Sequence, residues 1–322
     1  MGGPTGFPDP ISQRPFGVTL EYEGGIRGEL MASSTKSFSV GDIQCVAISD
    51  GTFVYPANWV FSNVPQEQLE GSLRDRDLPS NQVETPYTCL LIKTGKHKVL
   101  VDTGAAGMAP TTGDLLKQLH AEGITPGEIT TVVLTHGHPD HIGGVLGANQ
   151  KPAFPNARYV MSKTEWNFWT GDPNLNSTGL NDHVKELLIS CARTNLPLLE
   201  EHIELLDGEK EVVPGVHAIP APGHTPGHLA LVVTSSNEQL LHMSDAVLHP
   251  MNLEYPAWRN VFDLNEDIAA ITRRRLLDRA ASDDAAVLAY HFPFPGLGRV
   301  RNHGTAWRWE AANQSQERPD RA

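Results

Sequence analysis

The stretch Thr135-His136-Gly137-His138-Pro139-Asp140-His141 places four metal-capable side chains within six positions. Imidazole suits zinc, iron, manganese or cobalt, and a carboxylate adds a harder donor that can bridge two ions. His136 and His138 lie two apart and face the same way if the backbone stays extended. Pro139 then turns the chain, so that Asp140 and His141 can reach a second ion. Three more candidates follow at the edges of apolar runs: His224 in the turn Pro222-Gly223-His224-Thr225-Pro226-Gly227-His228, Asp245 after Leu240-Leu241-His242-Met243, and His291 after Ala286-Val287-Leu288-Ala289-Tyr290. These seven side chains exceed the four that one tetrahedral zinc takes. Two divalent ions sharing one bridging carboxylate would use them all. Such a pair lowers the pKa of a bridging water and gives hydroxide at neutral pH. The chemistry expected is therefore hydrolysis without a protein nucleophile, with Asp140 and Asp245 as the catalytic carboxylates. His228, four after His224, is expected to be a hydrogen-bonded structural histidine.

The elements that must position these groups are legible from period and punctuation. Thr131-Val132-Val133-Leu134 is a short buried strand feeding the first motif. Further strands are predicted over residues 43–48, closed by a turn at Ser49-Asp50-Gly51, and over 88–93 and 98–102 around the turn Thr94-Gly95-Lys96. Others fall at 157–161, 203–206, 216–219, 229–233, 240–243 and 286–290, the last taken as the final core strand. Helices are predicted over 66–76, from 115 to a stop at Gly123, over 184–199, and over 267–281 with Ile268, Ile271, Leu276 and Leu277 on one side. The run Arg273-Arg274-Arg275 with Arg279 reads as a solvated face. The aromatics between Phe53 and Phe61 read as a loop leaning over a site or as core. Trp166, Phe168 and Trp169 read either as pocket lining or as helix packing. Strand-rich segments alternate with helices twice, which predicts an α/β fold of two similar β-rich halves, each covered by helices.

A chain of 322 residues accommodates one large α/β domain or two small ones. A formal net charge of −13 argues against a nucleic-acid partner, which requires a basic face. No run of about 18 apolar residues is present, so no membrane partner is expected. Cys45, Cys89 and Cys191 are widely spaced and form no CxxC, which fits a reducing, cytoplasmic setting. Residues 1–36 are rich in Gly and Pro without a sustained period and are expected to form a flexible extension that could contact a second subunit in a homodimer. Residues 37–310 are expected to form the catalytic domain, with 311–322 as a polar tail.

The HxHxDH pattern of His136 to His141, followed by the His224 turn and by Asp245 and His291 at strand ends, resembles the metallo-β-lactamase superfamily over residues 38–310. The resemblance implies an αββα sandwich of two mixed β-sheets flanked by helices, with metals in the groove between the sheets. It implies one ion held by His136, His138 and His224, and a second by Asp140, His141 and His291, with Asp245 bridging. Asp102, in a turn of the form Asp102-Thr103-Gly104, would orient a ligand. Asp245 stands where true metallo-β-lactamases commonly carry cysteine, which disfavours antibiotic hydrolysis. Leu248 stands where acyl-homoserine lactonases usually carry tyrosine. The turn at 101–107, the pair Phe168-Trp169, Leu248 and the segment 291–298 are most similar to methyl parathion hydrolase and lactonase-type members. The expectation is a dinuclear enzyme, with zinc as the first choice of metal. A metal-bridging hydroxide would cleave a small, mostly apolar ester, lactone or organophosphate triester, with Trp169, Phe168 and Leu248 lining the substrate pocket. The alternatives are an acyl-homoserine lactonase or a thioesterase of the glyoxalase II type.

Overall fold

Alternating apolar residues on strands from both halves of the chain pack face to face and make two seven-stranded sheets. The structure, a computed structural model, describes residues 34–312. The N-terminal extension through Ser33 and the tail from residue 313 lie outside the described residues. In the first sheet the strands lie in chain order: β1 (Thr35–Val40), β2 (Ile43–Pro56), β3 (Gln82–Thr94), β4 (His97–Val101), β5 (Thr131–Val133), β6 (Arg158–Ser162) and β7 (Ile203–Leu206). Pairing is antiparallel from β1 to β4 and parallel from β4 to β7. The second sheet also follows chain order: β8 (Lys210–Val213), β9 (Val216–Pro220), β10 (Leu229–Ser235), β11 (Glu238–His242), β12 (Ala286–Leu288), β13 (Leu297–His303) and β14 (Ala306–Ala311). Only β11 and β12 are parallel.

The inner faces meet through Cys45, Leu90, Val101 and Val133 on one side and Leu229, Leu231, Leu240 and Leu288 on the other. Period-2 alternation sends the intervening residues outward, where helices cover them. The helices are α1 (Ala57–Val60), α2 (Gln66–Arg74), α3 (Leu115–Ala121), α4 (Pro139–Ile142), α5 (Lys163–Thr170), α6 (Asp182–Asn195), α7 (Met251–Glu254) and α8 (Glu266–Ser282). Leu115 and Leu119 of α3, Trp169 of α5 and Leu188 of α6 pack on the first sheet, and Leu276 and Leu277 of α8 pack on the second. This is the αββα sandwich of two mixed sheets. Among the described residues no helix is long and apolar enough to cross a membrane.

Several local expectations are corrected. Ser49-Asp50-Gly51 is not a turn: β2 continues through it to Pro56 with a bulge. Gly51 has φ 117°, and the Asp50 carboxylate accepts the backbone N–H groups of Ala105, Gly113 and Leu115. The strand survives because one carboxylate satisfies three loop donors at the bulge. β12 is not the final core strand, since β13 and β14 extend the sheet beyond it. On α8 the buried stripe is Ala269, Thr272, Arg273, Leu276, Leu277 and Ala280, whereas Ile268 and Ile271 are 42% and 68% exposed. Arg273 is only 2% exposed, so the arginine run is not wholly a solvated face. Its guanidinium donates to the carbonyls of Ala246 and Trp258 and faces Asp263, and burial is tolerated because these partners come with it. The first described strand begins at Thr35 and the last ends at Ala311.

Candidate metal centre

Strand direction explains why the candidates gather on one edge. β4 and β5 are parallel, so Asp102 and the His136 loop leave them on the same side. β11 and β12 are parallel, so Asp245 and His291 also leave together. β10 is antiparallel to β11, so its entry, not its exit, lies at that edge, and His224 accordingly precedes the strand. Two backbone bonds stitch the sheets there, Leu229 N–H to the Thr135 carbonyl (2.9 Å) and Thr88 N–H to the Tyr290 carbonyl (3.1 Å). β2 and β3 are longer than β4, and their far halves, paired as Tyr55 with Val83 and Gly51 with Tyr87, overhang the same edge.

The first motif needs its small residue. A Cβ on Gly137 would stand 2.4 Å from the Trp169 indole, so glycine lets the loop lie directly on that ring. Pro139 opens α4, where its missing N–H costs nothing, and the turn brings Asp140 and His141 round behind His138.

The seven candidates converge. Three groups have ligand atoms all within 4.8 Å of one another: His136, His138 and His224; Asp140, His141 and His291; and His136, His141 and Asp245. Asp245 lies between the first two groups. Its Oδ1 is 3.1 Å from His141 Nε2, and its Oδ2 is 3.0 Å from His291 Nε2, 3.4 Å from His224 Nε2 and 3.9 Å from His136 Nε2. Asp140 Oδ2 is 3.5 Å from both His141 Nε2 and His291 Nε2. His224 Nε2 and His138 Nδ1 approach to 3.0 Å.

The outer nitrogen of three rings is held by an acceptor. His141 Nδ1 donates to Asp102 Oδ2 (2.8 Å), His224 Nδ1 to Asp263 Oδ1 (2.9 Å) and His291 Nδ1 to the Pro86 carbonyl (3.0 Å). That fixes the ring orientations and turns each Nε2 inward. Asp102, at φ 61°, is itself held by the Thr135 N–H and hydroxyl, both at 2.8 Å, and Ser244 donates to Thr135.

Burial and neighbouring imidazoles hold His136 and His138 well below the usual histidine range, so both are neutral donors of electron pairs. Burial would raise Asp140 and Asp245, but His141 and His291 beside them prevail and hold both carboxyls below their ordinary range. His136 Nε2 and His141 Nε2 are buried without a hydrogen-bond partner. Inward lone pairs, two ionised carboxylates and orphaned buried nitrogens form a donor set that fits divalent cations.

Two supporting groups escaped the sequence reading. Glu165, fully buried on α5, accepts from Gly137 N–H (3.0 Å), Trp169 Nε1–H (2.6 Å), the Thr225 hydroxyl (2.8 Å) and Gly227 N–H (2.8 Å). It thus ties the His136–His138 loop of one sheet to the His224 turn of the other. Its four-residue spacing from Trp169 was visible, but nothing in the sequence marked it as buried. Arg273 backs Asp263 and so, at one remove, His224. His228 donates from Nδ1 to the Ala221 carbonyl (2.9 Å) and accepts the Asp245 N–H at Nε2 (3.2 Å). It positions Asp245 and points no lone pair into the cage.

The pocket candidates fall into different places. Trp169 is fully buried, edge-on to His138 at 5.6 Å, and forms the floor under the metal loop instead of an open wall. Leu248 is buried in an apolar cluster with Val60, Phe61 and Met251. Phe168 is half-buried against Trp169 at 5.1 Å. Half-exposed rings come from the overhang and from the approach to α8: Phe53, Tyr55, Trp59 and Phe262. Tyr55 lies 4.8 Å from Phe53 and 5.5 Å from Phe262, which immediately precedes Asp263.

Fold and cage together define a metal-dependent hydrolase with a centre for two divalent ions. Residues 83–291 match the Metallo-beta-lactamase superfamily, and the chain belongs to it. An N-acyl homoserine lactonase of a Bacillus species is 26% identical over 216 residues, 61% of this chain and 77% of the relative. Among solved structures, the dizinc quorum-quenching lactonase AidC, in complex with a product, is 27% identical with a TM-score of 0.83, covering 87% of this chain and 98% of AidC. The hydrolase AbOPH is 25% identical with a TM-score of 0.79, covering 88% of this chain and 99% of its own.

Proposed function

We propose that the protein is a dizinc lactonase that opens small lactones bearing an apolar tail, of the N-acyl homoserine lactone type. The observation that carries this is Asp245 standing between two converging histidine groups, beside half-exposed aromatic rings that suit an apolar chain. Lactonase relatives of this chain support it. We assign His136, His138 and His224 to one ion, Asp140, His141 and His291 to the other, and Asp245 to both. Two such ions, when bound, would supply an activated water and polarise the scissile oxygen.

The chain's own groups do the rest. Asp102, Asp263 and the Pro86 carbonyl hold the outer nitrogens of His141, His224 and His291, so the rings keep Nε2 facing inward. His228 fixes the backbone that aims Asp245. Asp140, which is 8% exposed, would take the proton given up by the attacking water and pass it to the departing alkoxide. An Asp140→Asn protein that kept two ions and full turnover would remove that role.

A panel of hexanoyl-homoserine lactone, an aryl ester, an aryl phosphotriester and a glutathione thioester, with metal content measured in parallel, tests the assignment. Lactone turnover ahead of the others is expected. A protein carrying two zinc ions and hydrolysing none of the four would overturn the reading. The unpaired Cys45, Cys89 and Cys191 support a cytoplasmic setting. A homodimer is tested by light scattering with and without residues 1–33.

A further inference from the structure

One polar group in the aromatic wall is unused by the cage. The Tyr55 and Tyr87 hydroxyl oxygens lie 2.9 Å apart, and among the described residues neither has a second hydrogen-bond partner. Tyr87 is fully buried and Tyr55 half-buried. Two phenols carry two protons, and the contact between them uses one. A buried O–H left without an acceptor costs more than an acceptor lone pair left open. Tyr87 therefore donates to Tyr55, and the Tyr55 proton is left without an acceptor among the described residues.

The location of that proton is constrained. Tyr87 packs edge-on to His291 at 5.5 Å and stacks with Tyr290 at 6.1 Å, and Tyr290 lies 4.1 Å from His141. Phe53, Trp59 and Phe262 enclose the Tyr55 ring at 4.8, 6.3 and 5.5 Å and keep it from swinging away. Burial, with Asp140 and Asp245 acting on it, holds the phenol above its ordinary range, so it stays a donor at neutral pH. Tyr55 is thus a preorganised O–H donor at the His291 side of the centre, on a strand that contributes no metal ligand.

We propose that Tyr55 is a further catalytic residue that donates its O–H to an oxygen of the bound substrate, the carbonyl oxygen of an ester or lactone as it gains charge, and to the carboxylate of the product. Tyr87 is its positioning residue. The inference rests on the carboxyl-ester reading of the site for its substrate, but not for its binding test. Tyr55→Phe removes one oxygen and keeps the ring. The zinc-loaded wild type and variant are titrated calorimetrically with hexanoate, a plain carboxylate with an apolar tail, and assayed on hexanoyl-homoserine lactone. Metal content and Tm are expected to match, hexanoate to bind about five- to tenfold more weakly to the variant, and kcat to fall about 100-fold with a smaller change in KM. Tyr87→Phe, which leaves Tyr55 its proton but not its tether, is expected to show a smaller loss of both.

Equal hexanoate affinity in Tyr55→Phe and wild type overturns the proposal whatever the turnover, as does a wild type that does not bind hexanoate. A variant that loses metal or Tm along with affinity assigns the pair to packing and also overturns it. A wild type whose hexanoate binding depends on Tyr55, but which turns over no lactone or aryl ester, upholds the Tyr55 contact to a carboxylate, overturns its catalytic role and sinks the lactonase reading.

Discussion

Glu165 shows how one side chain controls two ligand turns. Four donors from two sheets meet its two oxygens, a satisfied network in a fully buried place. In Glu165→Gln the amide nitrogen has only donors to face, so at least one contact becomes donor against donor. We expect a loss of about 1–3 kcal/mol in urea unfolding and about tenfold faster transfer of zinc to a competing chelator. Unchanged metal retention in a destabilised variant would show that Glu165 holds the fold but not the cage. Asp102→Asn tests the ring-holding role from the other sheet. Two Thr135 donors already converge on this carboxylate, so the amide cannot serve them and His141 together. Metal affinity is expected to fall 10- to 100-fold, measured by competition with a coloured chelator.

At the scale of elements, α8 separates apolar appearance from burial. Its buried stripe recurs every three to four residues and includes Arg273, while Ile271 points to solvent. Ile271→Ser should therefore change stability by less than about 0.5 kcal/mol, and Leu277→Ala should cost about 2–5 kcal/mol, both read from urea midpoints. Arg273→Met should cost about 3 kcal/mol or more, because it leaves Asp263 buried beside one fewer cation and two carbonyls unpaired. Arg273→Lys should not restore the loss, since an ammonium cannot span those three acceptors. The overhang of β2 and β3 makes the complementary point. Strands longer than their neighbours carry Tyr55, Pro86 and Tyr87 past the end of β4, so the sheet that supplies ligands also supplies part of the wall above them.

For the whole molecule, metal binding and folding are linked. Ions that bind only the folded state stabilise it. Chelation from a zinc concentration near 1,000 times Kd is expected to remove about 4 kcal/mol, or roughly 10 °C in Tm, followed by calorimetry. Acid acts separately through buried histidines outside the cage. Burial pushes His242 and His249 down to about 4, so both are neutral in the folded protein. The unfolded chain protonates them near pH 6.5. Their contribution is therefore complete above pH 6.5 and falls as pH drops toward 4, by about 1.4 kcal/mol per unit for each. Urea unfolding at pH 7 and pH 5 should show a loss about 2 kcal/mol smaller in His249→Gln than in the wild type. Equal slopes would mean that His249 takes up its proton while folded.

The sequence by itself determined the candidate ligands, their spacing and the strands that end in them, because metal donors are few and an apolar run stopping at a histidine or aspartate is a local signal. His136 to His141, His224, Asp245 and His291 were all legible on that basis, as were most strands and α8. Tertiary structure decided what depends on partners distant in the chain. It buried Arg273 because three acceptors from other segments surround it, left Ile268 and Ile271 outside because none of the described residues covers that side of α8, and made Trp169 a floor because Gly137 lies on its ring. It also turned Glu165 into a tie between sheets and gave Tyr55 its Tyr87 partner. Each of these roles is set by a contact across the fold, and neither composition nor period carries that information.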